Sequence, residues 1–169
     1  MTTLEGTARG AESRATVVLD LLRRRGERLS VAESCTGGWL AKQLTDTPGS
    51  SESFWGGVVA YDDAAKRRLL GVSRDLIGLK GAVSREVAVA MARGVRRVAG
   101  SDWGVGVTGV AGPGGATEAK PVGTVWIAVD GLLSAAEMHR ILGGREEVRA
   151  GAVSAALLLL ERQLRAGDE

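Results

Sequence analysis

A chain of 169 residues, 44% apolar and 25% charged, has the length and make-up of one soluble globular domain with a single core. Its formal net charge of +2 is too small for a dedicated nucleic-acid binder, whose basic residues cluster on one face. One cysteine, Cys35, and one histidine, His139, exclude an internal disulfide and leave no zinc-ligand set.

Residues 1–12 carry no apolar run of the kind found in a signal peptide or membrane anchor, and a flexible tail is expected there. A single domain over 13–166 follows, and a cytoplasmic location is expected. The stripe Ala15, Val18, Leu19 and Leu22 predicts an amphipathic helix from about Ser13 to Arg25, stopped by Gly26. The basic run Arg23-Arg24-Arg25 closes it, where cations complement the helix dipole. Leu29 to Ala32 reads as a first strand, and Trp39 to about Thr45 as a short helix. The run Phe54 to Tyr61 predicts a second strand, and Asp62-Asp63 open a helix that carries Lys66. A helical turn near Asp75 to Leu79 precedes a helix over Arg85 to Ala99, with Ser84 as its N-cap. Strands are predicted at Trp103 to Val110, Thr124 to Val129 and near Glu137 to Leu142, the last two as an antiparallel hairpin. Glu146 to Leu164 forms a closing helix, whose apolar run at 155–160 is too short to span a bilayer. Helices between the early strands favour parallel crossovers. The predicted fold is a three-layer α/β/α sandwich on a mixed sheet, mostly parallel, with a C-terminal antiparallel hairpin.

Three segments combine glycine with hydroxyl or ionisable residues beside a strand: 33–38 (ESCTGG), 61–66 (YDDAAK) and 107–115 (VTGVAGPGG). Ligands of open α/β sheets gather at the carboxyl ends of strands, so all three can line one crevice. Ser34 stands at a strand-to-helix turn, where backbone N–H groups can hold an oxyanion or phosphate. The plainer reading is that Ser34 or Thr36 caps the helix. Lys66 is one of only four lysines among 22 basic residues. It is either a solvated surface lysine or one retained because, unlike arginine, it can lose its proton. Cys35 would need a histidine partner to act as a nucleophile, and His139 lies far along the chain, so a small buried cysteine is expected. The loop at 112–115 lacks the Gly-Lys-Ser/Thr of a Walker motif.

Six segments in order, VAESCTGGWLAKQLTDTPGSS, FWGGVVAYDDAAKRRLLGV, GAVSREVAVAMARG, VGVTGVAGPGG, KPVGTVWIAV and GREEVR, cover most of Val31 to Arg149. The chain resembles the CinA C-terminal domain family, the nicotinamide-nucleotide amidohydrolases, in its stand-alone form. The resemblance implies hydrolysis of nicotinamide mononucleotide to nicotinate mononucleotide and ammonia. It places the nucleophile on Ser34 and the lysine base on Lys66, with Tyr61 as a third catalytic residue and Thr108 as a hydroxyl that lines the site. The remaining candidate substrate contacts are Glu33, Cys35, Thr36, Gly37, Gly38, Gly109, Gly112, Gly114 and Arg145. No metal or other cofactor is implied. The expected partner is a small nucleotide, with neither nucleic acid nor membrane, and a homo-oligomer, a dimer for preference, is expected. Three positions depart from the family pattern: Lys80 before Gly81-Ala82-Val83-Ser84 instead of histidine, Gly143-Gly144-Arg145 instead of Gly-Asp-Arg, and Asp62-Asp63 instead of Ser-Asn. The alternative is a nucleotide-binding regulatory module linked to competence or DNA damage, with little catalysis.

Overall fold

The computed structural model describes residues 4–167. In chain order the elements are α1 (Leu4–Arg25), β1 (Leu29–Glu33), α2 (Trp39–Thr45), a 3-10 turn (Ser50–Glu52), β2 (Phe54–Val59), α3 (Asp63–Leu70), α4 (Arg74–Lys80), α5 (Arg85–Ala99), β3 (Trp103–Gly109), β4 (Thr124–Asp130), β5 (Ala135–Arg140) and α6 (Arg145–Ala166).

The five strands form one sheet in the order β2-β1-β3-β4-β5. β1 pairs in parallel with both β2 and β3, while β3–β4 and β4–β5 are antiparallel. The sheet is mixed because one strand, β4, runs against the other four. α1, α2 and α6 pack together on one face, and α3 and α4 pack with α5 on the other. The first face holds the larger core, in which Leu22, Leu29, Leu40, Trp103, Ile127 and Leu160 are buried. The second is built on Leu70, Val87, Met91 and Val95. β1 is buried along its whole length, as expected of a central strand covered on both sides.

α5 lies unusually close to β3, and glycine is the reason. A Cβ on Gly104 or Gly106 would come within 2.3 Å of the Ala92 or Ala88 carbonyl oxygen. With hydrogen at those positions the helix rests on the strand backbone, which fixes the 81–84 turn leading into α5 against the end of β3.

Two boundaries differ from expectation. The helix expected from about Ser13 begins at Leu4, so residues 4–12, expected in a tail, are helical; residues 1–3 lie outside the described region. Ala11 and Ala15 are buried, and Arg14 pairs with Glu161 of α6. Small side chains let α1 pack closely on α6, and alanine adds little to a hydrophobic stripe, so the pattern understates the helix. The last strand is Ala135–Arg140 rather than 137–142, because the turn after Gly131 is shorter than expected.

Candidate active site

The parallel registers bring three strand ends level. Glu33 lies opposite Val59 of β2 on one side and Val107 of β3 on the other. The chain therefore emerges at one end of the sheet at Ser34, Tyr61 and Thr108. β1 is also the strand from which connections leave to opposite sides, to β2 and eventually to β3. Such a switch point opens a crevice beyond the strand ends.

A cleft of about 300 Å³ occupies that place, lined among others by Ser34, Cys35, Tyr61, Asp63, Lys66 and Thr108. Gly109, Gly112, Gly114, Gly115 and Arg145 complete its rim, with Ala82 and Val83 from the turn before α5. A larger hollow, about 510 Å³, lies along α5 between Arg85, Arg93 and Arg97. Its lining has no lysine or histidine, whereas the smaller cleft gathers Ser34, Cys35 and Lys66.

Ser34 is 8% exposed, and its backbone N–H donates to the Val107 carbonyl at 2.9 Å, tying the turn to β3. Gly37 and Gly38, at φ +60° and +96°, complete the turn in the left-handed region that suits glycine. Arg149 of α6 donates to the Thr36 carbonyl at 2.9 Å and lies 5.2 Å over the Trp39 ring, which clamps the turn from behind.

The N-terminus of α2 is not open to a ligand. The Glu33 carboxylate, 1% exposed, accepts from the backbone N–H groups of Gly38 (3.1 Å), Leu40 (3.0 Å) and Ala41 (2.8 Å). It caps the helix from the preceding strand, so Glu33 does not face the cleft as the substrate contact expected of it. Gly37 and Gly38 border a separate hollow with Trp39, Lys42 and Arg149, and Thr36 is fully buried. These three are thus not brought to the cleft by their side chains or surfaces. The N–H groups of Ser34, Gly37, Gly38, Trp39, Leu40 and Ala41 all have acceptors.

Lys66 extends from α3 and is 2% exposed. Its Nζ donates to the Tyr61 carbonyl at 3.4 Å and to Asp63 Oδ1 at 3.3 Å. The Tyr61 hydroxyl accepts from Arg145 at 2.8 Å, and the same guanidinium donates to the Gly112 carbonyl at 2.7 Å. Arg145 therefore bridges the mouth of the cleft from the β2–α3 turn to the glycine-rich loop. Thr108 donates its hydroxyl to the Ala82 carbonyl at 2.8 Å, holding the α5 turn as a wall. In the sequence Asp63 reads as a helix-opening residue and a departure from the family's Ser-Asn pair, not as a partner of Lys66. Its signal was the spacing of three from Lys66, which puts both on one helix face.

The Cys35 thiol is pushed up to about 12, chiefly by burial and further by the nearby Glu33 carboxylate. Its own backbone, Arg149 and Lys66 act in the opposite direction and do not offset the burial. Among the described residues no three His, Cys, Asp or Glu side chains converge as metal ligands, and no helix is long and apolar enough to cross a membrane.

The family model of the CinA C-terminal domain matches residues 11–164. The CinA-like protein of Synechocystis sp. is 51% identical over 154 residues, 89% of this chain and 37% of that protein. The CinA-like protein of Myxococcus xanthus is 49% identical over 156 residues, 91% of this chain and 37% of that protein. The chain thus spans little more than a third of the length of these curated relatives. Among solved structures, the competence/damage inducible protein CihA from Agrobacterium tumefaciens superposes with a TM-score of 0.88 at 38% identity, covering 92% of this chain and 96% of that one. The competence damage-inducible protein A from Klebsiella pneumoniae gives 0.88 at 35% identity, covering 92% and 97%. The chain belongs to the CinA C-terminal domain family.

Proposed function

We propose that the chain is an amidohydrolase that converts nicotinamide mononucleotide and water to nicotinate mononucleotide and ammonia through a Ser34/Lys66 pair. The observation that carries this reading is the shared cleft. A buried serine at a strand-to-helix turn and a buried lysine open into the same small crevice at the switch point of the sheet. A hydroxyl beside an amine is the arrangement needed to activate a weak nucleophile.

Lys66, acting as base, takes the proton of Ser34 Oγ as the oxygen attacks the carboxamide carbon. Cys35 is the residue after Ser34 and lines the cleft, so its backbone N–H is the donor assigned here to the oxyanion of the tetrahedral intermediate. The ammonium of Lys66 returns its proton to the departing nitrogen, and ammonia leaves an acyl ester on Ser34. Water then attacks the ester, Lys66 takes its proton, and Ser34 Oγ recovers it. Atoms and charge balance without any further reactant.

The substrate's phosphate has a fitting place at the cleft mouth, where Arg145 meets the backbone around Gly112 to Gly115. Charge-assisted hydrogen bonds contribute about 1.5–3 kcal/mol each. Two of them correspond to a kcat/KM advantage of roughly 10²- to 10⁴-fold for the mononucleotide over nicotinamide riboside. Ammonia release from both compounds by the same purified protein tests this. A ratio within about threefold, under about 1 kcal/mol, removes the nucleotide from the assignment. Tight binding of the mononucleotide with no ammonia released would instead favour a regulatory nucleotide-binding module.

A further inference from the structure

A base has to be aimed as well as placed. Lysine carries its nitrogen on a flexible four-carbon stem with rotatable donors, so burial alone does not orient it. Lys66 Nζ has two hydrogen-bond acceptors, the Tyr61 carbonyl at 3.4 Å and Asp63 Oδ1 at 3.3 Å. One comes from the turn before α3 and the other from its first residue, and the neighbouring carboxylate has separate work. Asp62 accepts from the Ala65 N–H at 2.8 Å and caps the helix. Asp63 lines the cleft with its side chain 54% exposed, while that of Lys66 is 3% exposed.

A neutral amine has two N–H bonds and one lone pair in tetrahedral directions. Two acceptors on the α3 side take both N–H bonds, and the lone pair is left to point elsewhere. We infer that Asp63 is the positioning residue of the base: with the Tyr61 carbonyl it holds Lys66 so that the lone pair faces the cleft containing Ser34. The same two contacts persist when the amine gains the Ser34 proton, and the new N–H then points at the departing nitrogen. What Asp63 supplies is an acceptor oxygen at one distance and direction. An asparagine, which keeps that oxygen and loses the charge, therefore serves as well. This inference rests on the Ser34/Lys66 reading of the site.

The test uses the full chain with Asp63→Ala and Asp63→Asn. Misdirected reacting groups cost about two orders of magnitude in rate. In ammonia release from nicotinamide mononucleotide, Asp63→Ala is expected to lower kcat roughly 10- to 100-fold, with KM within about twofold. Asp63→Asn is expected to keep at least about a third of wild-type kcat. Asp63→Ser replaces the alanine variant if that protein does not fold. A second readout needs the activated serine but not the nucleotide: the rate at which a fluorophosphonate labels Ser34, expected to follow the same order. Wild-type kcat and labelling in Asp63→Ala overturn the inference, as does an asparagine variant as slow as alanine. If no protein releases ammonia while labelling keeps the order, the positioning role stands and the substrate assignment falls. If wild type is not labelled at all, nucleophile and positioning role fall together.

Discussion

Ser34 and Cys35 are adjacent in the chain and differ in what chemistry they can do. Both border the cleft that also holds Lys66, and both are buried, but the Cys35 thiol is pushed up to about 12. The thiolate, the reactive form, is therefore nearly absent at neutral pH. Iodoacetamide is expected to leave Cys35 of the folded protein unmodified at pH 8 and to alkylate it promptly in denaturant, as mass spectrometry would read. Because the folded value lies above the ordinary value of 9.0, the linked stability is fully present below pH 9 and is lost as pH rises toward about 12. Lys66→Arg keeps charge and length but cannot give up a proton, so kcat is expected to fall roughly a hundredfold or more, measured by ammonia release. Of these residues, Ser34 and Lys66 were legible as candidates from their segments alone. The choice between a cap and a nucleophile was not, because a serine before a helix has the same local signature either way. The structure removes the capping role, because α2 takes its cap from Glu33.

At the scale of elements, the site depends on two contacts that run against simple reading rules. An N-cap is ordinarily sought at the residue just before a helix. Here that residue is Gly38, with no side-chain cap, and the acceptor is a carboxylate five residues earlier on β1. That geometry joins strand, turn and helix into one unit and could not be read from spacing. Glu33→Ala leaves three buried or half-buried N–H groups without their acceptor, and is expected to cost about 3 kcal/mol in denaturant unfolding. The second contact is α5 on β3. Gly106→Ala puts a Cβ 2.3 Å from the Ala88 carbonyl oxygen, and the helix has to move. Overpacking of this kind costs about 2 kcal/mol. It should also lower kcat/KM, because Thr108 and Ala82 meet at the same helix–strand junction. Strand and helix order, the closing hairpin and the β-prone runs were all legible in the sequence. The early turns of α1 were not, since alanine and glycine in the first three turns hide a face that packs on α6.

For the whole molecule, the strand order β2-β1-β3 is what converts three separate segments into one site. Residues 34, 61–66 and 108–115 are distant in sequence and meet only because three parallel strands end at the same level. The single reversed strand, β4, carries the chain away from that end and β5 brings it back, so that α6 starts at the cleft mouth with Arg145 and clamps the Ser34 turn through Arg149. The central claim is that this convergence makes Ser34 an amide-cleaving nucleophile. It is tested most directly by turnover of nicotinamide mononucleotide, following ammonia and nicotinate mononucleotide together, for wild type and Ser34→Ala with matched melting temperatures. Equimolar products from wild type, and a kcat at least about a thousandfold lower in Ser34→Ala, are expected. Near-normal turnover by the folded Ser34→Ala protein, or none by wild type, would contradict the claim.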